Sequence, residues 1–136
     1  MYEKAFHLEI ITPQKVVYRG DATSVSAPGV QGGFQILFNH APFISELTIG
    51  KIVFKDASGK DHLFATDGGF VEVNNNTVVV LADTVESPEE IDVERAKAAR
   101  DRATDRLHTR EGGLDEDRAR MALLRAVNRL RVAQLR

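Results

Sequence analysis

IDVERAKAARDRATDRL, residues Ile91 to Leu107, is the stretch on which the reading turns. Ala96, Ala99, Ala103 and Leu107 recur at three- and four-residue steps and so share one face of a helix. Asp92, Arg95, Arg102 and Arg106 run beside them and give that face a charged border. Just upstream, Ser87-Pro88-Glu89-Glu90 supplies an N-cap serine, a first-turn proline and a glutamate three residues on. The apolar face is thin. Alanine favours helix but buries little, and each buried methylene contributes only about 0.8 kcal/mol. A helix of this kind docks closely and releases easily.

Working downstream, Asp115 to about Leu135 reads as a second helix, with Leu123, Val127, Leu130 and Gln134 on one face. Arg110-Glu111-Gly112-Gly113 separates the two and permits a tight reversal, which predicts an antiparallel helical hairpin. Arg118, Arg125, Arg129 and Arg136 fall at seven-, four- and seven-residue steps. Arg125 and Arg129, like charges one turn apart, invite an anion.

Working upstream, the apolar period changes from 3.6 to two at Pro88. Phe6–Ile11, Val16–Tyr18, Ala22–Ala27, Phe34–Phe38, Ile49–Phe54, His62–Ala65, Phe70–Val73 and Thr77–Leu81 read as short strands. Between them lie turn signals such as Gly20-Asp21, Pro28-Gly29, Asp56-Ala57-Ser58-Gly59-Lys60 and Asn74-Asn75-Asn76. The expected fold class is therefore α+β. A β-sandwich of about ten strands over residues 1–86 precedes a two-helix hairpin over 87–136.

Composition narrows the function. The 136 residues carry a net charge of −2, which conceals an asymmetry. Residues 1–90 hold six Lys/Arg against twelve Asp/Glu, and residues 91–136 hold twelve against eight. Eleven of those last twelve cations are arginine, suited to bidentate contacts with phosphate or carboxylate. There is no cysteine, hence no disulfide framework, cysteine nucleophile or thiolate metal site. No apolar run is long enough to span a bilayer, and the first residues lack the apolar stretch of a signal peptide, so a cytosolic-side protein is expected. His7, His62 and His108 fall in no metal-ligand spacing. No phosphate-binding glycine loop is present, and nothing resembles a nucleophile beside a general base. A basic-helix nucleic-acid-binding protein is the alternative, weakened by the acidic first part and a tail without aromatic residues.

The pattern IDxxRAxxAxxRAxxRL resembles the ATP-binding signature of the bacterial F-type ATP synthase epsilon family. Its fixed positions are filled by Ile91, Asp92, Arg95, Ala96, Ala99, Arg102, Ala103, Arg106 and Leu107. His40-Ala41-Pro42, Asp67-Gly68-Gly69-Phe70-Val71-Glu72-Val73 and Val79–Thr84 resemble further segments of that family in the same order. The chain departs from it at Gly33 and Gln35, where the family commonly has glutamate and glycine.

The resemblance implies a non-catalytic subunit that senses ATP, with or without magnesium, as a regulatory ligand. Glu86, Ile91, Asp92, Arg95, Ala96, Arg102, Arg125 and Arg129 would contact the nucleotide, with Asp92 accepting from the adenine amino group. His40 would belong to the surface meeting the gamma subunit, although a turn histidine bonded within its own loop accounts for it equally well. The implied partners are gamma, the rotor c-ring, and the alpha and beta subunits, with no nucleic acid and membrane contact only through the complex. The implied place is the cytoplasmic face of the bacterial plasma membrane, or alternatively a thylakoid.

Overall fold

In the computed structural model the described residues are 4–109 and 115–135. The chain divides into two compact units, Met1–Val85 and Glu86–Arg136.

The first unit is a β-sandwich. Its strands are β1 (Phe6–Ile11), β2 (Val16–Gly29), β3 (Gly32–Ile36), β4 (Phe43–Leu47), β5 (Gly50–Asp56), β6 (Asp61–Thr66), β7 (Gly69–Asn74) and β8 (Thr77–Ala82). A two-residue β9 (Val85–Glu86) straddles the boundary between the units. Alternation places the core. Phe6, Leu8 and Ile10 of β1 face inward, as do Ile52 and Phe54 of β5, Val71 and Val73 of β7, and Val78 and Val80 of β8. The β7–β8 hairpin closes through Asn75 and Asn76, at φ 50° and 56°, two successive left-handed residues that match the twist of the paired strands.

β2 holds the sandwich together. Its first half pairs antiparallel with β1 and its second half with β5 and β3. The handover falls at a register shift between Ala22 and Ser24, where an extra residue bends the strand from one layer into the other. β1 also lies parallel to β8, His7 opposite Thr77.

The expected break at Gly20-Asp21 is therefore absent, and Val16–Tyr18 and Ala22–Ala27 are parts of one 14-residue strand. Gly20 lies opposite Leu8 in the ladder, and the Tyr18 hydroxyl folds across it to donate to the Asp21 carbonyl at 2.8 Å. Cross-strand pairing overrides local turn propensity here. Pro28-Gly29 likewise continues the strand. β4 has no counterpart among the expected strands. Ile44 is 74% exposed there while Phe43 stays half-buried, which blurs the period of two.

In the second unit Ser87 opens a single 3-10 turn, Pro88–Glu90, rather than the long helix. The Glu90 carboxylate accepts from the Ser87 amide at 3.1 Å. The long helix, α1, runs from Val93 to Thr109 and begins two residues later than the quoted stretch. Asp92 is its cap, Oδ1 accepting from the Arg95 amide at 3.0 Å. α2 spans Glu116–Gln134 and is capped by Asp115, which accepts from the Arg118 amide at 3.1 Å.

The two helices pack together as a hairpin. The reversal expected at Arg110-Glu111-Gly112-Gly113 lies outside the described residues. Ala96 and Ala103 are the buried residues of α1. The buried face of α2 is Ala119, Ala126, Val132 and Ala133, whereas Leu123, Val127 and Leu130 are half-buried and Gln134 is exposed. The expected leucine-rich face is thus the flank of an alanine seam with a seven-residue repeat. Small residues let the two backbones approach, and the larger side chains close the margins.

Candidate functional site

The residues singled out for nucleotide binding all lie in the second unit, and they divide by environment. Ile91 and Ala96 are 5% and 0% exposed. They shape the hairpin and have no free surface to offer a ligand in this conformation. Asp92 is exposed and already fixed as the cap of α1.

Glu86 and Arg129 are brought together across 43 residues of sequence. Arg129 Nη2 donates to Glu86 Oε2 at 2.9 Å, and Nε lies 2.8 Å from Oε1. The two side chains retain 24% and 30% of their exposure. This half-buried pair, one charge-assisted hydrogen bond from Nη2 and an ionic contact at Nε that is not aligned as a hydrogen bond, ties α2 to the segment that leads into α1.

The other cations fall into two sets. Lys97 pairs with Glu94, Arg100 with Asp101, and Arg120 with Glu116 and Asp117. Among the described residues, Arg95, Arg102, Arg106, Arg118, Arg125 and Arg131 have no carboxylate partner. Arg95, Arg102 and Arg125, the three arginines of the predicted site besides Arg129, belong to this unpaired set and are exposed. Among the described residues, their guanidinium groups make no hydrogen bond or ion pair with another residue of the predicted site, and Arg95 meets Asp92 only through its backbone amide. The helical unit thus holds one arginine neutralised by Glu86 and several whose charge is uncompensated, an arrangement suited to an anion with several oxygens.

His40, the expected partner-binding residue, lies in the first unit after β3. Nδ1 is 2.7 Å from the Ala41 carbonyl oxygen, and the ring meets Phe43 edge-on at 5.7 Å. A bond within its own loop is therefore present. His62 is a packing residue, stacked on Phe54 at 4.3 Å with Nε2 2.9 Å from Asp56 Oδ2. Asp56 also accepts from the amides of Ser58 and Lys60 and from the Ser58 hydroxyl. These bonds, the one from His62 foremost, hold its carboxyl well below the usual carboxylate range.

Comparison with known proteins places this geometry. Residues 5–88 match the family described as ATP synthase, Delta/Epsilon chain, beta-sandwich domain, and residues 89–134 match its long alpha-helix domain. An ATP synthase epsilon chain of Syntrophomonas wolfei is 43% identical over 134 residues, covering 98% of each chain. One from Nitratidesulfovibrio vulgaris is 47% identical over 130 residues, covering 96% of each. Among solved structures, a chain of the Euglena gracilis mitochondrial ATP synthase, in its OSCP/F1/c-ring assembly, shares the fold at a TM-score of 0.84. That chain is 18% identical, with 100% of this chain and 84% of that one covered. The protein belongs to the ATP synthase delta/epsilon chain family. Within that family it is of the epsilon type of F-type ATP synthases.

Proposed function

We propose that this chain is a regulatory, non-catalytic subunit in the central stalk of a rotary ATP synthase at the cytoplasmic face of a bacterial membrane. The β-sandwich binds the gamma subunit, with His40 in the contact surface, and the c-ring. The helical unit binds ATP and does not hydrolyse it. When folded it leaves the catalytic head free. When extended, its arginines meet acidic segments of the alpha and beta subunits and block ATP hydrolysis. The supporting observation is the set of exposed, unpaired arginines on a unit otherwise rich in matched ion pairs.

The alanine seam makes the folded state weakly held, so a ligand preferring that state shifts the balance. ATP at 100 times its dissociation constant would favour the folded state by about 2.7 kcal/mol. Calorimetric titration with ATP, ADP and GTP tests the reading. Wild-type chain is expected to bind ATP without turnover, and Arg125→Ala to bind it at least about tenfold more weakly with the fold intact. Asp92→Ala is expected to lose preference for adenine over guanine. Normal ATP binding by Arg125→Ala would remove the sensing role and leave only the structural one.

A further inference from the structure

The stretch from Ile91 to Leu107 has a second copy in the same unit. Residues 91–107 run IDVERAKAARDRATDRL, and residues 114–130 run LDEDRARMALLRAVNRL. After an initial isoleucine or leucine, both read DxxRAxxAxxRAxxRL. The structure repeats with the sequence. Asp115 caps α2 as Asp92 caps α1, each Oδ1 accepting from the amide of the arginine three residues on, at 3.1 and 3.0 Å. Ala119 and Ala126 are buried in the seam as Ala96 and Ala103 are. Arg118 and Arg125 are exposed as Arg95 and Arg102 are. A close-packed seam needs the alanines. It makes no demand on the arginines, which stand one residue before them on both helices.

A twofold axis normal to the plane of the pair relates two like antiparallel helices. Equal offsets from the seam therefore fall on one broad face of the hairpin. That face carries Arg95, Arg102 and Arg106 on α1, and their counterparts Arg118, Arg125 and Arg129 on α2. At about 1.5 Å per residue, each strip is about 16 Å long, more than the triphosphate of one nucleotide occupies. Arg106 and Arg118 lie at the end where α1 leads to α2, and Arg95 and Arg129 at the other. The symmetry is broken at one point. Arg129 is held by Glu86, whereas Arg106 and Arg118 have no carboxylate partner among the described residues. The nucleotide reading above uses Arg95, Arg102, Arg125 and Arg129, and leaves Arg106, Arg118 and Asp115 without a role.

We propose that the hairpin binds a dinucleoside polyphosphate, a ligand with two like ends and a phosphate chain between them. The proposal rests on the nucleotide reading of α1 and extends it by the symmetry of the pair. One base lies at Asp92 and the other at Asp115. Each carboxylate uses Oδ1 for its cap and keeps Oδ2 to accept from an exocyclic amino group. Arg102 and Arg125 meet the middle of the phosphate chain, and Arg106 and Arg118 hold its second half. Guanidinium groups spaced along such a path suit consecutive phosphates. A mononucleotide engages one half only. A ligand joined through its phosphates gains the second half as an intramolecular contact.

The test is calorimetric titration of the full chain with diadenosine pentaphosphate, ATP and inorganic tripolyphosphate. The pentaphosphate is expected to bind one per chain, at least about tenfold more tightly than ATP. Arg106→Gln combined with Arg118→Gln, at exposed positions, should bring the pentaphosphate down to the affinity of ATP and leave ATP within about twofold of wild type. Asp115→Asn keeps an acceptor for the cap and should weaken the pentaphosphate severalfold without altering ATP binding. Arg125→Ala should weaken both ligands. If neither ATP nor the pentaphosphate binds, the nucleotide reading and this proposal fall together. ATP binding with no gain for the pentaphosphate overturns this proposal alone. So does an equal loss of both ligands in the Arg106, Arg118 double variant, or tripolyphosphate that binds as tightly as the pentaphosphate.

Discussion

The Glu86–Arg129 pair makes a prediction that can be worked from its geometry. Exposed ion pairs contribute about 0.2–1 kcal/mol, whereas removing one member of a fully buried pair costs about 3–5 kcal/mol. This pair keeps 24% and 30% of its side-chain exposure and combines one hydrogen bond at 2.9 Å with an ionic contact at 2.8 Å. It therefore falls between those limits, and discounting for residual solvent places its coupling at about 1–2 kcal/mol. Glu86→Gln and Arg129→Gln, singly and together, form a double-mutant cycle. Hydrogen exchange of α2 amides measures the opening free energy of the helical unit in the intact chain. Each single change should cost about 1–2 kcal/mol, and the double change little more than either alone. With saturating ATP the coupling should collapse, because phosphate oxygens take Arg129 from Glu86. Additivity within about 0.3 kcal/mol without nucleotide would refute the pairing argument. Undiminished coupling with ATP bound would remove Arg129 from the nucleotide site.

Three further outcomes are expected. Ala103→Leu, at a position 3% exposed in the seam, overpacks it and should weaken the helical unit by about 1–3 kcal/mol, visible as faster exchange in α1 and α2 while the sandwich is unaffected. Gly69→Ala places a methyl carbon 2.1 Å from the Leu81 carbonyl oxygen at φ +143°, so the sandwich should lose more than about 2 kcal/mol in urea unfolding. Because the Asp56 carboxyl is depressed in the folded state, its contribution is complete above its unfolded value of about 3.9 and fades as pH falls below that. Asp56→Asn should thus flatten the fall of the urea midpoint between about pH 4 and 2.

Much of this architecture was legible because the chain repeats at the periods its elements require. β1 and the Asn75-Asn76 hairpin follow from alternation and from residues that tolerate positive φ. Gly20-Asp21 misled because turn propensity is local, while the strand is decided by Leu8 across the ladder. β4 was hidden because Ile44 faces outward against the rule. Ser87 and Glu90 made a capping pattern that was read correctly as chemistry and wrongly as the start of α1, since a 3-10 turn accepts the same signal. The site was half legible. The motif singled out Arg95 and Arg102, and like charges one turn apart singled out Arg125 with Arg129, but no local pattern shows that Glu86 and Arg129 hold one another.

The parallel pairing of β1 with β8 has a consequence for how the chain is made. β1 leaves the ribosome before every other strand of the sandwich, yet one of its two neighbours is the strand from Thr77 to Ala82. Until that strand emerges, Leu8 and Ile10 have a β2 partner on one side and an open edge on the other. At about 5–20 residues per second, that edge stands unguarded for several seconds of synthesis. The sandwich closes only when almost all of its own sequence is available.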